Sequence, residues 1–243
     1  MSKIGIISQA RMRSTRLPGK VLKEINGIPL LQYHIERLNK SSFPLLVATT
    51  TNKSDDPIIE FCKKSNYDYF RGSENNVLER YFKAAKERNF DIIVRVTSDC
   101  PLIDGIVVKE AIHKFLSKNN NMLYLSNGLS NSFPRGFDFE IFSFDLLKLA
   151  YSRAISKSEK EHVTPYLYSG NDSSIKVSSF PYKVNRKNYR LTVDTKPDFE
   201  LINKLVCEFN AGNKSIDEIV KILDNNPYLL NINSHIKQKT LND

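Results

Sequence analysis

No stretch of the 243 residues approaches the roughly 18 consecutive apolar side chains that a membrane helix needs, so no spanning segment is expected. The first residues, MSKIGIISQARMRS, hold neither a long apolar run nor a small-residue cleavage site, so no secretory leader is expected either. Cysteine is scarce: Cys62, Cys100 and Cys207 lie far apart, with no CxxC pair. That excludes a disulfide frame and a zinc site, and it reads as reduced thiols in a cytoplasmic protein. There is no internal repeat, no low-complexity tract and no linker, which leaves a single domain over residues 1–243.

Concentrated charge is also missing. The net charge is +9, yet the 36 basic residues are spread among 27 acidic ones. The longest basic clusters are pairs such as Lys63-Lys64 and Arg186-Lys187. A nucleic-acid reader would carry a basic stripe or arm, so no nucleic-acid partner is expected. An excess spread in this way can instead draw polyanionic small molecules such as nucleoside triphosphates.

What is present is a chain that alternates between two periods in its first half, the pattern of a parallel sheet with crossover helices. Strands are expected at Lys3–Ser8, Pro44–Thr49, Tyr67–Phe70, Asp91–Thr97 and Met122–Leu125. Between them fall helical patterns at Pro29–Leu38, from Asp55 or Asp56 as cap to Lys64, at Asn75–Arg88 and at Ile106–Leu116. The second half is less regular. Strands are expected at Phe137–Phe142, Ile175–Phe180 and Tyr189–Val193. Helices are expected near Leu146–Ala154, Lys157–Tyr168, Pro197–Asn210 and Ser215–Asn225, with a short one after Pro227. The last ten or so residues are polar and expected to fray.

Three segments carry chemistry. The loop Gln9–Lys20 follows the first strand and gathers Arg11, Arg13, Arg16 and Lys20 around Ser14, Thr15 and Gly19. A strand-to-helix loop lies at the carboxyl edge of a parallel sheet, where ligands of open α/β folds bind. Arginine offers forked donors and lysine a compact charge, which together suit a polyphosphate. Neither a Walker loop nor GxGxxG is present. Asp99 stands just past DIIVRVT, facing the same edge, and fits the single carboxylate that magnesium takes alongside phosphate oxygens and water. Asp194, in RLTVDTKPDFELI, also ends a β-like run, before a helix that Thr195 or Asp198 could cap. Two such aspartates could pinch a metal, or each could simply cap a turn.

Taken in order, QARMRSTRLPGKVL, RGSENNVLERY, VRVTSDCPLID, FPRGFDFEIFS, EHVTPYLY and LTVDTKPDFELI resemble the spore-coat polysaccharide biosynthesis protein F family. That family belongs to the cytidylyltransferases, beside the synthetases of CMP-Kdo and CMP-sialic acid. The resemblance runs from about Ile4 to Leu205. It implies an α/β, Rossmann-like nucleotide-diphospho-sugar transferase fold, with a mixed, mostly parallel sheet flanked by helices. It further implies a nucleotide-binding part over about residues 1–125, and an acceptor-binding, dimer-forming part over about 126–243.

Carried over residue by residue, the resemblance places CTP against Gln9, Ala10, Arg11, Ser14, Arg16, Lys20, Arg71, Gly72, Arg80 and Asp99. Magnesium falls to Asp99 and Asp194, and catalysis to Lys20, Arg11, Asp99 and Asp194. The acceptor falls to Arg135, Asp138, Glu140, Glu161 and His162. Asp138, Glu140 and Glu161 could instead pair with Arg135 and Arg153, and His162 could be structural. Two positions depart from the family: Arg13 where a small residue is usual, and Asn76 where an acid is common. The expected reaction is attack of an acceptor oxygen on the α-phosphorus of CTP, releasing pyrophosphate. The acceptor would be an acidic sugar, a 3-deoxy-2-keto sugar acid first, or else a phosphorylated small molecule giving a CDP product. A homodimer is the expected assembly. Other readings are a metal-dependent glycosyltransferase, opposed by Cys100-Pro101 where an Asp-x-Asp pair would stand, and a nucleotide-binding protein without chemistry.

Overall fold

A computed structural model describes residues 2–238. Ile4–Gln9 forms β1, buried along nearly its whole length as a central parallel strand with both faces covered. The basic loop ends in a short 3-10 turn at Lys20–Leu22. A hairpin of two-residue strands follows, β2 (Glu24–Ile25) and β3 (Ile28–Pro29), turned by Asn26 and Gly27 at φ 52° and 74°. The chain continues through α1 (Leu30–Asn39), β4 (Leu45–Thr50), α2 (Asp56–Lys64), β5 (Tyr69–Gly72), α3 (Val77–Glu87), β6 (Ile92–Thr97) and α4 (Gly105–Ser117). Then come β7 (Leu123–Ser126), β8 (Glu140–Ser143), α5 (Phe144–Arg153), α6 (Lys157–His162), α7 (Pro165–Tyr168), β9 (Lys176–Ser179), α8 (Lys196–Phe209) and α9 (Ile216–Asn225).

Among the described residues the main sheet has seven strands in the order β5-β4-β1-β6-β8-β7-β9. Strands β5, β4, β1 and β6 are mutually parallel; β8 runs antiparallel to both β6 and β7, and β9 parallel to β7. The chain leaves β1 toward β4 and β5, then returns to β6 on the other side of β1. The order therefore reverses between β1 and β6, and ligands of such sheets bind in the crevice beyond those two strand ends. The basic loop leaves β1 at that crevice, and Ser98-Asp99 leaves β6 beside it.

The first half follows the expected elements closely. The second departs in three places. Of the expected strand Phe137–Phe142 only Glu140–Phe142 joins the sheet, in a strand that runs on to Ser143. Before it, the side chain of Asn127 supplies the bonds a neighbouring strand would: its Nδ2 donates to Phe137 O and its Oδ1 accepts from Phe139 N. Tyr189–Val193 is no strand; it makes one isolated bridge, Arg135 to Arg190, while Tyr189 N turns back to Arg186 O and Val193 N reaches out to Asp99 O. The helix expected over Lys157–Tyr168 is two short ones, because Pro165 disfavours helical backbone before it and Val163 turns to φ 72°. Of the tail expected to fray, Gln238 accepts a hydrogen bond from Arg190; residues 239–243 lie outside the described residues.

One buried polar chain fixes the crevice floor. His34 on α1 is fully buried, with Nδ1 2.9 Å from Cys100 O and Nε2 2.7 Å from Ser8 Oγ. A carbonyl only accepts, so Nδ1 carries the proton, Nε2 accepts from Ser8, and Ser98 donates in turn to Ser8 Oγ at 2.7 Å. Burial lowers the His34 imidazole from 6.5 to about 4, outweighing the Cys100 carbonyl, so it stays neutral. The unfolded chain takes up this proton near pH 6.5 while the folded one resists until about 4. Stability is therefore lost as pH falls through that window, by up to about 1.4 kcal/mol per pH unit from this group. Urea unfolding from pH 7 to 4.5 should show a steeper loss for the natural chain than for His34→Gln; equal slopes would refute the assignment.

Candidate active site

The basic loop is closed on itself and pinned from below. Met12 O accepts from both Ser14 N (3.0 Å) and Gly19 N (2.8 Å), and Gly19 turns at φ 69°, where a side chain would be strained. Met12 N donates to Asp55 Oδ1 at 2.7 Å, and Thr50 Oγ1 donates to Asp55 Oδ2. Asp55 thus precedes α2 as expected of a cap, but its carboxylate makes no cap bond to that helix; it holds the loop instead. Arg13, at the departing position, lies exposed against Glu74 at 3.3 Å. Asn76, the other, caps α3 by accepting from Glu79 N.

Lys20 is 8% exposed, and its Nζ donates to Asp99 Oδ2 at 2.9 Å and to Asp194 Oδ1 at 2.7 Å. The two strand-end aspartates therefore meet on one cation. Backbone brings them there: Val193 N donates to Asp99 O at 2.8 Å, and Thr192 Oγ1 to the same oxygen at 3.2 Å. Burial alone would lower the Lys20 pKa, but the two carboxylates outweigh it and raise it. Burial would likewise raise the Asp99 carboxyl, yet Lys20 and the Thr97 hydroxyl hold it well below the usual carboxylate range. Arg16 reaches Asp194 Oδ2 at 3.0 Å.

The expected acceptor stretch is laid against this centre by close backbone packing. Arg135 N donates to Tyr189 O (2.8 Å) and Leu191 N to Arg135 O (2.7 Å). Gly136 at φ 103° sits so close that a Cβ would fall 2.5 Å from the Leu191 carbonyl carbon. Asp138 Oδ2 accepts from Gly136 N at 2.9 Å, and burial raises its pKa against the pull of Arg135. Its Oδ1 has no hydrogen-bond partner among the described residues.

A family model for cytidylyltransferases matches residues 4–232. The chain belongs to the cytidylyltransferase family. It is 39% identical to an uncharacterised protein of Methanocaldococcus jannaschii over 99% of this chain and 98% of that one. It is 33% identical to the spore coat polysaccharide biosynthesis protein SpsF of Bacillus subtilis, covering 93% and 96%. Identity to a 3-deoxy-manno-octulosonate cytidylyltransferase of Francisella tularensis is 25%, covering 91% and 92%. Among solved structures, a cytidylyltransferase from Leptospira borgpetersenii superposes with a TM-score of 0.91 at 35% identity, covering 99% and 100%. This cytidylyltransferase is accordingly a CTP-dependent nucleotidyltransferase with the Rossmann-like fold of its relatives.

Other expected site residues are placed unequally. Arg11 is exposed and makes no ion pair among the described residues, so its guanidinium is open to an anion. Ala10 is buried, its N–H spent on Ala48 O, and Ser14 offers a half-buried hydroxyl. Arg71 is committed to Thr50 O, Asn52 O and Asp56. Arg80 is 2% exposed and packs against Gly72, where a Cβ would lie 2.8 Å from Arg80 Cγ; its Nη1 holds Ser73 O, while Nε has no hydrogen-bond partner among the described residues.

Glu140 is not free to bind an acceptor, nor does it pair with Arg135 or Arg153. Its Oε1 accepts from Tyr124 (2.5 Å) and Thr164 (2.6 Å), and Oε2 is paired with Arg95, which also reaches Gln9 Oε1 at 3.2 Å. His162 is half-buried near this group; burial lowers its pKa, with Glu161 opposing and Arg95 and Arg11 adding to the shift. Arg95, Tyr124 and Thr164 escaped the sequence reading. A charge in the middle of DIIVRVT was the available signal, since a cation in a buried strand needs a carboxylate partner. Removing that partner strands a buried guanidinium, so Glu140→Ala should cost about 3 kcal/mol or more in urea unfolding. Normal stability with a raised acceptor KM would show Glu140 to be an acceptor ligand instead.

Proposed function

We propose that this cytidylyltransferase transfers CMP from CTP to an acidic sugar, with magnesium, in the making of a surface polysaccharide or glycan. The observation that carries it is the convergence of Lys20, Asp99 and Asp194 at the sheet's reversal point, with the Arg135–Asp138 stretch laid alongside. The acceptor class is supported by the named activity of the Francisella relative, and by Arg135 beside Asp138, an anion anchor next to a hydroxyl acceptor. A cytoplasmic homodimer is the setting we infer for it.

The donor set fits magnesium: two carboxylates already share one cation, Lys20 Nζ, and magnesium takes one or two carboxylates with phosphate oxygens and water. Asp99 and Asp194 would hold it, and bound there it would neutralise phosphate charge as an anionic acceptor approaches. Arg11, Arg16 and Lys20 bind the triphosphate and stabilise charge on the leaving pyrophosphate. The acceptor oxygen bonds to the α-phosphorus as the bond to the β-phosphate bridge breaks. Asp138 Oδ1 is the carboxylate oxygen on the acceptor side able to take the hydroxyl proton.

Pyrophosphate release, measured with magnesium, each of four nucleoside triphosphates and a panel of sugar acids and phosphorylated acceptors, tests this. Release should need CTP and a sugar acid. Lys20→Ala and Asp99→Ala should each lower kcat by 10²–10³-fold, about 3 kcal/mol in the barrier. Turnover only with a phosphorylated acceptor would replace the sugar-acid reading by a CDP-forming one.

A further inference from the structure

Asp194 rests on a clamp that reaches into the last described part of the chain. Arg190 is 8% exposed and Asp198 fully buried. Arg190 Nε donates to Asp198 Oδ1 at 2.8 Å, and Nη2 donates both to Asp198 Oδ2 at 3.0 Å and to Asp194 Oδ2 at 2.9 Å. Asp198 Oδ2 also accepts from Asp194 N (3.0 Å), Thr195 N (3.0 Å) and Thr195 Oγ1 (3.0 Å). Asn233, 2% exposed, closes the clamp: its Nδ2 donates to Arg190 O and to Asp198 Oδ1, both at 2.9 Å. Arg190 Nη1 donates to Gln238.

This arrangement treats the two oxygens of Asp194 differently. Oδ2 faces Arg190 and Arg16, while Oδ1 faces Lys20 and, across it, Asp99 Oδ2. A forked guanidinium held bidentately by one carboxylate cannot rotate, so its remaining contact on Nη2 fixes the rotamer of the second carboxylate. Asp198 has six donors around it and does not move without leaving them unpaired.

We propose that Arg190, locked by Asp198 and Asn233, is a positioning residue that commits Asp194 Oδ2 and presents Oδ1 alone to the divalent cation. The inference rests on the magnesium reading above. It makes the segment around Asn233 part of the active site, although Asn233 touches none of the reacting groups. Groups that orient metal ligands typically weaken metal binding 10- to 100-fold when replaced.

The test uses the full chain with CTP and no acceptor, so that no turnover occurs. Protein-held Mn2+ is followed by water-proton relaxation, and CTP binding is measured separately in excess chelator. Asp194→Asn should abolish the Mn2+ signal. Arg190→Lys, which keeps the charge but loses the fork, should raise the Mn2+ dissociation constant about tenfold. Its metal-free CTP affinity should be unchanged, whereas general damage would lower both. Asn233→Ala keeps every charge and should shift Mn2+ binding in the same direction, which covers the case that Arg190→Lys does not fold. Wild-type Mn2+ affinity in the Arg190 and Asn233 variants, with Asp194→Asn inactive in binding, overturns the clamp alone. Equal Mn2+ binding by the natural chain and Asp194→Asn overturns the metal reading, and the clamp with it.

Discussion

A charged lysine with 8% exposure is the constraint around which the rest is arranged. An isolated ammonium in such a place would lose its proton, because burial penalises the charged form. Two carboxylates prevent it, and they come from segments 95 residues apart that meet through the Val193–Asp99 backbone bond. That bond requires Leu191 to lie hard against residue 136, which only glycine allows. The loop carrying Lys20 must in turn approach the end of β6, which follows from the pairing of β1 with β6. Sheet order, one glycine and one buried cation thus specify the same point in space.

Much of this could be read from the chain. The parallel core declares itself in short apolar strands such as KIGIIS, PLLVAT and DIIVRVT, whose burial on both faces leaves little choice of structure. Lys20 is legible as a cation of the loop after the first strand, and Asp99 and Asp194 as carboxylates ending strand-like runs; the structure brings all three together. That they converge is not legible, because the approach of Asp99 and Asp194 to one lysine depends on long-range bonds from Thr192 and Val193 to Asp99 O, which have no periodic signature.

The second half was harder for a physical reason. Tyr189–Val193 has the composition of a strand, but its backbone partners are loop residues at 99, 135 and 186, so a strand-like sequence ends in no sheet. Phe137–Phe139 is similar, with an asparagine side chain standing in for a neighbouring strand. Asp55 and Asp198 both occupy helix starts, where capping is the economical expectation. Asp198 does cap α8, in a reciprocal box with Thr195, and also anchors Arg190. Asp55 leaves α2 uncapped to hold Met12 N. Propensity fixes where such a residue sits on the chain, whereas the direction of its carboxylate is decided by tertiary neighbours.

The pairing of charges around the crevice accounts for how a protein of net charge +9 keeps so basic a loop folded. Arg13 lies on Glu74, Arg16 and Lys20 on Asp194, Arg71 on Asp56 and Arg95 on Glu140. Arg11 alone of the loop cations has no carboxylate partner among the described residues. It is therefore the group that can meet a triphosphate without first breaking a contact. For Arg16 and Lys20, binding a triphosphate is an exchange of one anion for another, which limits the desolvation cost of engaging them. The exchange would leave Asp99 and Asp194 short of cations just as phosphate charge arrives, with Arg190 still fixed on one oxygen of Asp194. Asp99 Oδ2 and Asp194 Oδ1, the oxygens that face Lys20, are the ones this exchange would free, and on the magnesium reading proposed above a divalent ion there would restore the balance.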